Sequence, residues 1–150
     1  RAHPYEEPPI HVIPLASHPI PDAGMGRVLH LPRPCSEEDL VSRVKSSLGI
    51  DQLRRCRGGR DTHTVVACCP GAGGSLVAAA QAAGATLFLT GEMRHHDVLA
   101  ARDAGMSVLL AGHTHTERGY LPHWRSRLAA LLPTVDFSVS RADETPWSTE

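Results

Sequence analysis

Neither charge dominates this chain: 15 lysines and arginines stand against 16 acids, a net charge of −1 with the histidines neutral. No basic field therefore points to nucleic acid or to an anionic membrane surface. No apolar run approaches the roughly 20 residues that a membrane-spanning helix requires, and the first residues carry no signal-peptide pattern. Cys35, Cys56, Cys68 and Cys69 form no C-x-x-C pair, which speaks against a zinc finger or a disulfide scaffold and fits a reducing cytoplasm. Walker A and G-x-G-x-x-G loops are missing as well, and no solenoid-length repeat is present. What remains is 150 residues with 41% apolar and 21% charged content, the make-up of a soluble globular domain with a core.

The chain opens on Arg1, with what reads as mid-domain sequence, so a fragment, a processed product or an excised piece of a longer protein is expected. Residues 1–9 are polar and proline-rich, extended or turning backbone. Ile10, Val12, Ile13 and Leu15 then make a strand-like run. Pro19, Pro21, Gly24 and Gly26 mark a linker, with a boundary placed near residue 20, and residues 26–31 read as a short strand. Ser36 is an N-cap ahead of Glu37, Glu38 and Asp39, Leu40, Val44 and Leu48 recur at helical spacing, and Gly49 stops the helix. A short strand at 53–56 and a turn at 57–61 follow.

From His63 onward the pattern becomes a βα rhythm. Strands are expected at 64–69, 86–90 and 107–111, with a final one at 135–139. Helices are expected at 76–83 and 92–104, closed by Gly84 and Gly105, and a longest one at 116–132. Strands alternating with helices of this length imply parallel pairing through right-handed crossovers, an α/β fold.

The chemistry gathers between Thr90 and Glu117, just past two apolar strands, where an open α/β sheet collects ligands. In Gly112-His113-Thr-His115-Thr-Glu117, the histidine and the glutamate are four residues apart. If a helix starts by about Thr114 both lie on one face, as His and carboxylate ligands are presented to a metal or metal pair. His115 would point away. The plainer reading is a helix start with solvent-facing polar residues. In Gly91-Glu92-Met-Arg-His95-His96-Asp97 the adjacent histidines diverge by about 100°, so one at most enters a given pocket, and the other caps, pairs with Asp97 or meets solvent. The glycine loop at 71–75 joins strand to helix, which suits either an anion site or a tight packing turn. His3, Glu6 and Glu7 are a further, isolated set of donors or a structural turn.

Two resemblances follow from these motifs. Gly112-His113-Thr-His115 is similar to the Gly-His-x-His motif of calcineurin-like metallophosphoesterases, whose partner motifs are missing here. The second is far broader. Val66-Ala-Cys-Cys69, the glycine loop with Ser75-Leu76, Thr90-Gly-Glu-Met-Arg-His-His-Asp97, Gly112-His-Thr-His-Thr-Glu-Arg118, Leu121-Pro122 and Val139-Ser140 with Asp143 and Pro146 occur in order. Together they resemble the GTP cyclohydrolase 1 type 2 homologues, also called NGG-one-interacting-factor-three-like proteins. The head, His3-Pro-Tyr-Glu-Glu-Pro8, resembles the end of a domain that some members insert mid-chain.

That resemblance implies a three-layer α/β sandwich with a mixed, largely parallel sheet, one lobe of a two-lobed fold assembled as a hexameric ring. Residues 1–20 would be the end of the inserted domain and a linker, and 21–150 the C-terminal metal-binding lobe. Two divalent ions (Zn, Mn or Fe) per site are implied in the complete protein, with His113 and Glu117 as ligands, the glutamate bridging, and Glu92, His95 and His96 lining the cavity. The remaining ligands would come from an N-terminal lobe that has no counterpart in this sequence. The expected function is a cytoplasmic metal-dependent hydrolase of a small, nucleotide-like molecule, a homo-oligomer without nucleic-acid or membrane partners. One alternative is a non-catalytic metal-binding regulatory or protein-interaction module, and a second, from the Gly-His-x-His similarity, is a calcineurin-like metallophosphoesterase fragment.

Overall fold

In a computed structural model the described residues are 23–142 and 144–147. The expected strand at residues 10–15, the boundary near residue 20 and the His3, Glu6 and Glu7 set lie outside them.

Local signals produce the first helix as anticipated. It runs over Glu37–Leu48 (α1), with the Ser36 hydroxyl accepting from the Asp39 N–H at 3.1 Å and Gly49 ending it at φ 65°. The acids in its first turn meet the positive end of the helix dipole.

Five strands form one mixed sheet: β1 (Arg27–Ser36), β2 (Arg54–Cys56), β3 (Thr62–Ala72), β4 (Leu87–Glu92) and β5 (Ser107–Leu110), in the order β1-β3-β4-β5-β2. The three central strands are parallel, while β1 on β3 and β2 on β5 close the edges antiparallel. The crossovers α2 (Val77–Ala82) and α3 (His95–Asp103) step along the sheet in one direction. Right-handed connections therefore put both on the same face. On that face Ala67, Cys69, Phe88, Val108 and Leu110 pack with Val77, Ala80 and Ala101 from the helices. Leu87 and Leu109 point the other way by strand alternation, yet they are only 1% and 0% exposed. Both faces are covered, which makes three layers. Each such side chain contributes roughly 1.5–3 kcal/mol by leaving water.

Several boundaries differ from the sequence expectation. β1 extends beyond residue 31 and β3 beyond residue 69, through Pro70 and Gly71 to Ala72. The helix expected from Glu92 starts only at His95, because Glu92 still belongs to β4. The long helix expected at 116–132 is two helices, α4 (His113–Arg118) and α5 (Leu121–Leu131), with Pro122 in the first turn of α5. Proline has no N–H to continue a preceding helix, so it belongs at a helix start. No strand forms at 135–139. The segment joins no ladder of the sheet, and Val135 and Val139 stay exposed at 47% and 38%.

At the amino-terminal end of β3 and β4 a buried polar group is resolved by pairing. Glu37 is 3% exposed; its Oε2 lies 3.3 Å from Nε2 of the fully buried His63, whose Nδ1 meets Thr86 Oγ1 at 2.8 Å. Its Oε1 has no hydrogen bond, but the Arg55 and Arg57 Nε atoms stand 3.7 and 3.6 Å away.

Candidate metal centre

At the carboxyl ends of the parallel strands, glycines permit an unusually close convergence. A Cβ on Gly91 would lie 2.7 Å from the Gly71 carbonyl, from His113 Cα and from Thr116 Oγ1. A side chain there would drive apart the ends of β3 and β4 and the start of α4. Two threonines lock the loop after β3. The Gly71 N–H donates to Thr116 Oγ1 (3.0 Å) and the Gly73 N–H to Thr90 Oγ1 (2.9 Å), while Thr90 Oγ1 donates to the Gly71 carbonyl (3.1 Å). The Gly71 and Gly73 amides are thus taken up in packing the loop against α4 and β4.

This frame holds His113 and Glu117 together. Because α4 begins at His113, they sit one helical turn apart, with His113 Nε2 3.2 Å from Glu117 Oε1. The other imidazole nitrogen, Nδ1, is 2.8 Å from Glu92 Oε1. A carboxylate on one ring nitrogen fixes the ring and leaves the other facing its target, the arrangement typical of metal-binding histidines. The Glu92 hydrogen bond, followed by the Glu117 charge, pushes the His113 imidazole above its ordinary pKa. Gly71 faces this pair directly: at φ 66°, a Cβ on it would be 2.5 Å from Glu117 Oε1 and 3.1 Å from His113 Nε2. The cradle requires its glycine.

The donor set suits a divalent ion but does not close around one. Among the described residues no group of three or more His, Cys, Asp and Glu side chains is placed to hold a metal. An imidazole, a carboxylate and an orienting carboxylate are by themselves fewer than the three protein ligands that catalytic zinc usually has.

The other residues singled out from sequence separate. His115 folds its ring back on Gly112, where a Cβ would meet Nδ1 at 2.8 Å, and does not join the His113 pair. Asp97 pairs with Arg94, at 2.8 and 3.1 Å, rather than with a histidine. His95 opens on a cleft of about 230 Å³ with Arg54, Met93 and Val98, and His96 is exposed. Glu92 borders a separate cavity of about 440 Å³ with Ser75, Arg94 and Asp97. Sequence spacing did not anticipate the contact of Glu92 with His113, or the locking roles of Thr90 and Thr116. The only local hint was the recurrence of Thr and Gly at successive strand ends.

Residues 5–146 match the family model described as Duf34/NIF3 (NGG1p interacting factor 3). NIF3-like protein 1 of Bos taurus is 41% identical over 128 residues, 82% of this chain and 33% of that protein. The GTP cyclohydrolase 1 type 2 homolog of Listeria innocua is 30% identical over 149 residues, 97% of this chain and 40% of that protein. The Staphylococcus aureus protein SA1388 shares the fold, with a TM-score of 0.74 at 23% identity over 85% of this chain and 42% of that one. The chain thus spans about a third to two fifths of the curated relatives it matches. None of these matches is to a calcineurin-like phosphoesterase, so the Gly-His-x-His similarity is local. The chain belongs to the Duf34/NIF3 family.

Proposed function

We propose that this chain is the C-terminal lobe of a dinuclear metal-dependent hydrolase that carries two divalent ions (Zn, Mn or Fe) in the complete protein. The observation that carries the reading is His113 Nε2 beside Glu117 Oε1, with the far ring nitrogen held by Glu92. Bound there, the ions would supply Lewis-acid polarisation of a carbonyl or phosphoryl oxygen and an activated water. The chain's own part is positional. His113 offers Nε2 while Glu92 keeps the Nδ1 proton, Glu117 offers an oxygen from the next helical turn, and Gly71 leaves room for both. His95, at the mouth of its cleft, and His96 are both exposed, so either is reachable as a proton-transfer group. A small, nucleotide-like substrate is suggested by the name of the Listeria relative, a GTP cyclohydrolase 1 type 2 homolog. Free thiols at Cys35, Cys56, Cys68 and Cys69 agree with a cytoplasmic location. Exposed Met25, Val28 and Leu29 beside the β1 edge agree with a homo-oligomer, a hexameric ring by the resemblance.

The test is metal content and chelator-competition affinity of the complete protein. Glu117→Ala should lose the metals, and Glu92→Gln should weaken them by roughly 10- to 100-fold, the range for an orienting partner. Metal retained at full affinity in Glu117→Ala ends the proposal. The non-catalytic alternative is favoured by the family description as an interacting factor. A fully loaded protein that hydrolyses nothing across phosphate esters and cyclic amides would select it.

A further inference from the structure

Arg54, Arg55 and Arg57 are neighbours in sequence but not in surroundings. Arg55 and Arg57 are both committed to acids. Arg55 Nη1 is 2.8 Å from Glu38 Oε1, the Arg57 guanidinium bonds the same oxygen, and both Nε atoms face Glu37. Arg54 makes no ion pair or side-chain hydrogen bond among the described residues. Register explains the split. Arg54 pairs with Leu110 at the carboxyl end of β5, and directly paired residues share a face. Arg54 therefore stands at the candidate-site end of the sheet, three residues' worth of chain from His113, where it borders both the His95 cleft and a second cavity beside His113.

A cavity of about 310 Å³ opens at that point, and its polar lining is Gln52, Arg54, His113, Thr114, His115 and Thr145. Among the described residues no carboxylate lines it. The opposite flank of the His113 site differs: the cavity along Glu92 is bordered by Glu92 and Asp97, and its single arginine, Arg94, is already bound to Asp97. One side of His113 is thus acidic and self-neutralised, and the other presents a free cation with amide, hydroxyl and imidazole groups. We infer that the cavity between β2 and α4 seats a phosphate-type group of the substrate, with Arg54 as its anchor. A guanidinium fork matches two oxygens of such a group. The surrounding donors outnumber what the two oxygens of a carboxylate would occupy, and they suit the three terminal oxygens of a phosphoryl group. Its place beside His113 sets the rest of that molecule against the proposed metals, so the inference deepens the hydrolase reading and rests on it for that orientation.

The experiment is calorimetric titration of the complete, chelator-stripped protein with inorganic phosphate, so that metals do not contribute. The wild type should bind. Arg54→Ala should bind roughly tenfold or more weakly, the loss expected for hydrogen bonds to a charged group, and Arg54→Lys should fall between, keeping charge but losing the fork. Metal content of as-purified Arg54→Ala should match wild type. No phosphate binding, or equal binding in wild type and Arg54→Ala, overturns the inference. A parallel loss of metal and of circular-dichroism signal in Arg54→Ala makes Arg54 structural and overturns it too. Acetate bound as tightly as phosphate, with the same dependence on Arg54, would replace the phosphate class with a carboxylate and overturn the assignment. If Glu117→Ala keeps its metals while phosphate still depends on Arg54, only the metal reading fails.

Discussion

A single added methyl at Gly71 separates the site from the fold. Gly71 and Gly84 both have left-handed backbone, φ 66° and 79°, so alanine at either costs about 1–2 kcal/mol of conformational strain. At Gly84 the new Cβ meets nothing within 4 Å, whereas at Gly71 it lands 2.5 Å from Glu117 Oε1 and 3.1 Å from His113 Nε2. Those atoms are the ends of half-exposed side chains, so they swing away and the fold tolerates the change. The two variants should therefore lose similar stability, within about 1 kcal/mol of each other by denaturant unfolding. Their metal affinity should not be similar. Displacing the Glu117 carboxylate from beside His113 would remove one of the two ligands proposed from this chain, and Gly71→Ala should bind metal roughly 10- to 100-fold more weakly, about 1.4–2.7 kcal/mol. Gly84→Ala should keep wild-type affinity. The assay is chelator competition on the complete protein. Equal affinities in the two variants would refute the argument that Gly71 exists to make room for the His113–Glu117 pair.

Two further outcomes concern the fold. Glu37→Ala should destabilise by about 2–3 kcal/mol in urea unfolding without changing metal content. Removing one partner of a buried pair costs about 3–5 kcal/mol, less here because Arg55 and Arg57 can turn to solvent from 29% and 53% exposure, and the group sits at the far end of the sheet from His113. Burial pushes the Cys68 and Cys69 thiols above their ordinary pKa, with Cys68 and Glu117 adding to the shift at Cys69. The thiol form is thus favoured in the folded state. The stability this contributes is complete below the ordinary thiol pKa and declines as pH rises through the raised values. Mass-mapped alkylation at pH 8 should label both far more slowly in native than in unfolded protein, and equal rates would contradict the burial.

The candidate site was partly legible because part of it is local. The four-residue step from His113 to Glu117 needs only a helix, and Gly112 at φ 89° starts that helix at His113. Ser36 and Gly49 delimited α1 for the same reason, as caps act within a turn of their own residue. The strand expected over Val135 to Val139 does not form although its residues alternate, because alternation alone does not specify a pairing partner.

The sequence by itself determined the βα rhythm of the centre, the caps of α1, the apolar strands that become the core, and the pairing of a histidine with a carboxylate one turn on. All of these depend on neighbours within a few residues. Tertiary structure alone decided that Glu92 would hold His113 from 21 residues away. It decided as well that Thr90 and Thr116 would take the Gly73 and Gly71 amides, and that Arg54 would find no ion-pair partner among the described residues while Arg55 and Arg57 were spent on Glu37 and Glu38. Those outcomes hinge on strand order and register, in which a shift of one residue turns every side chain to the other face.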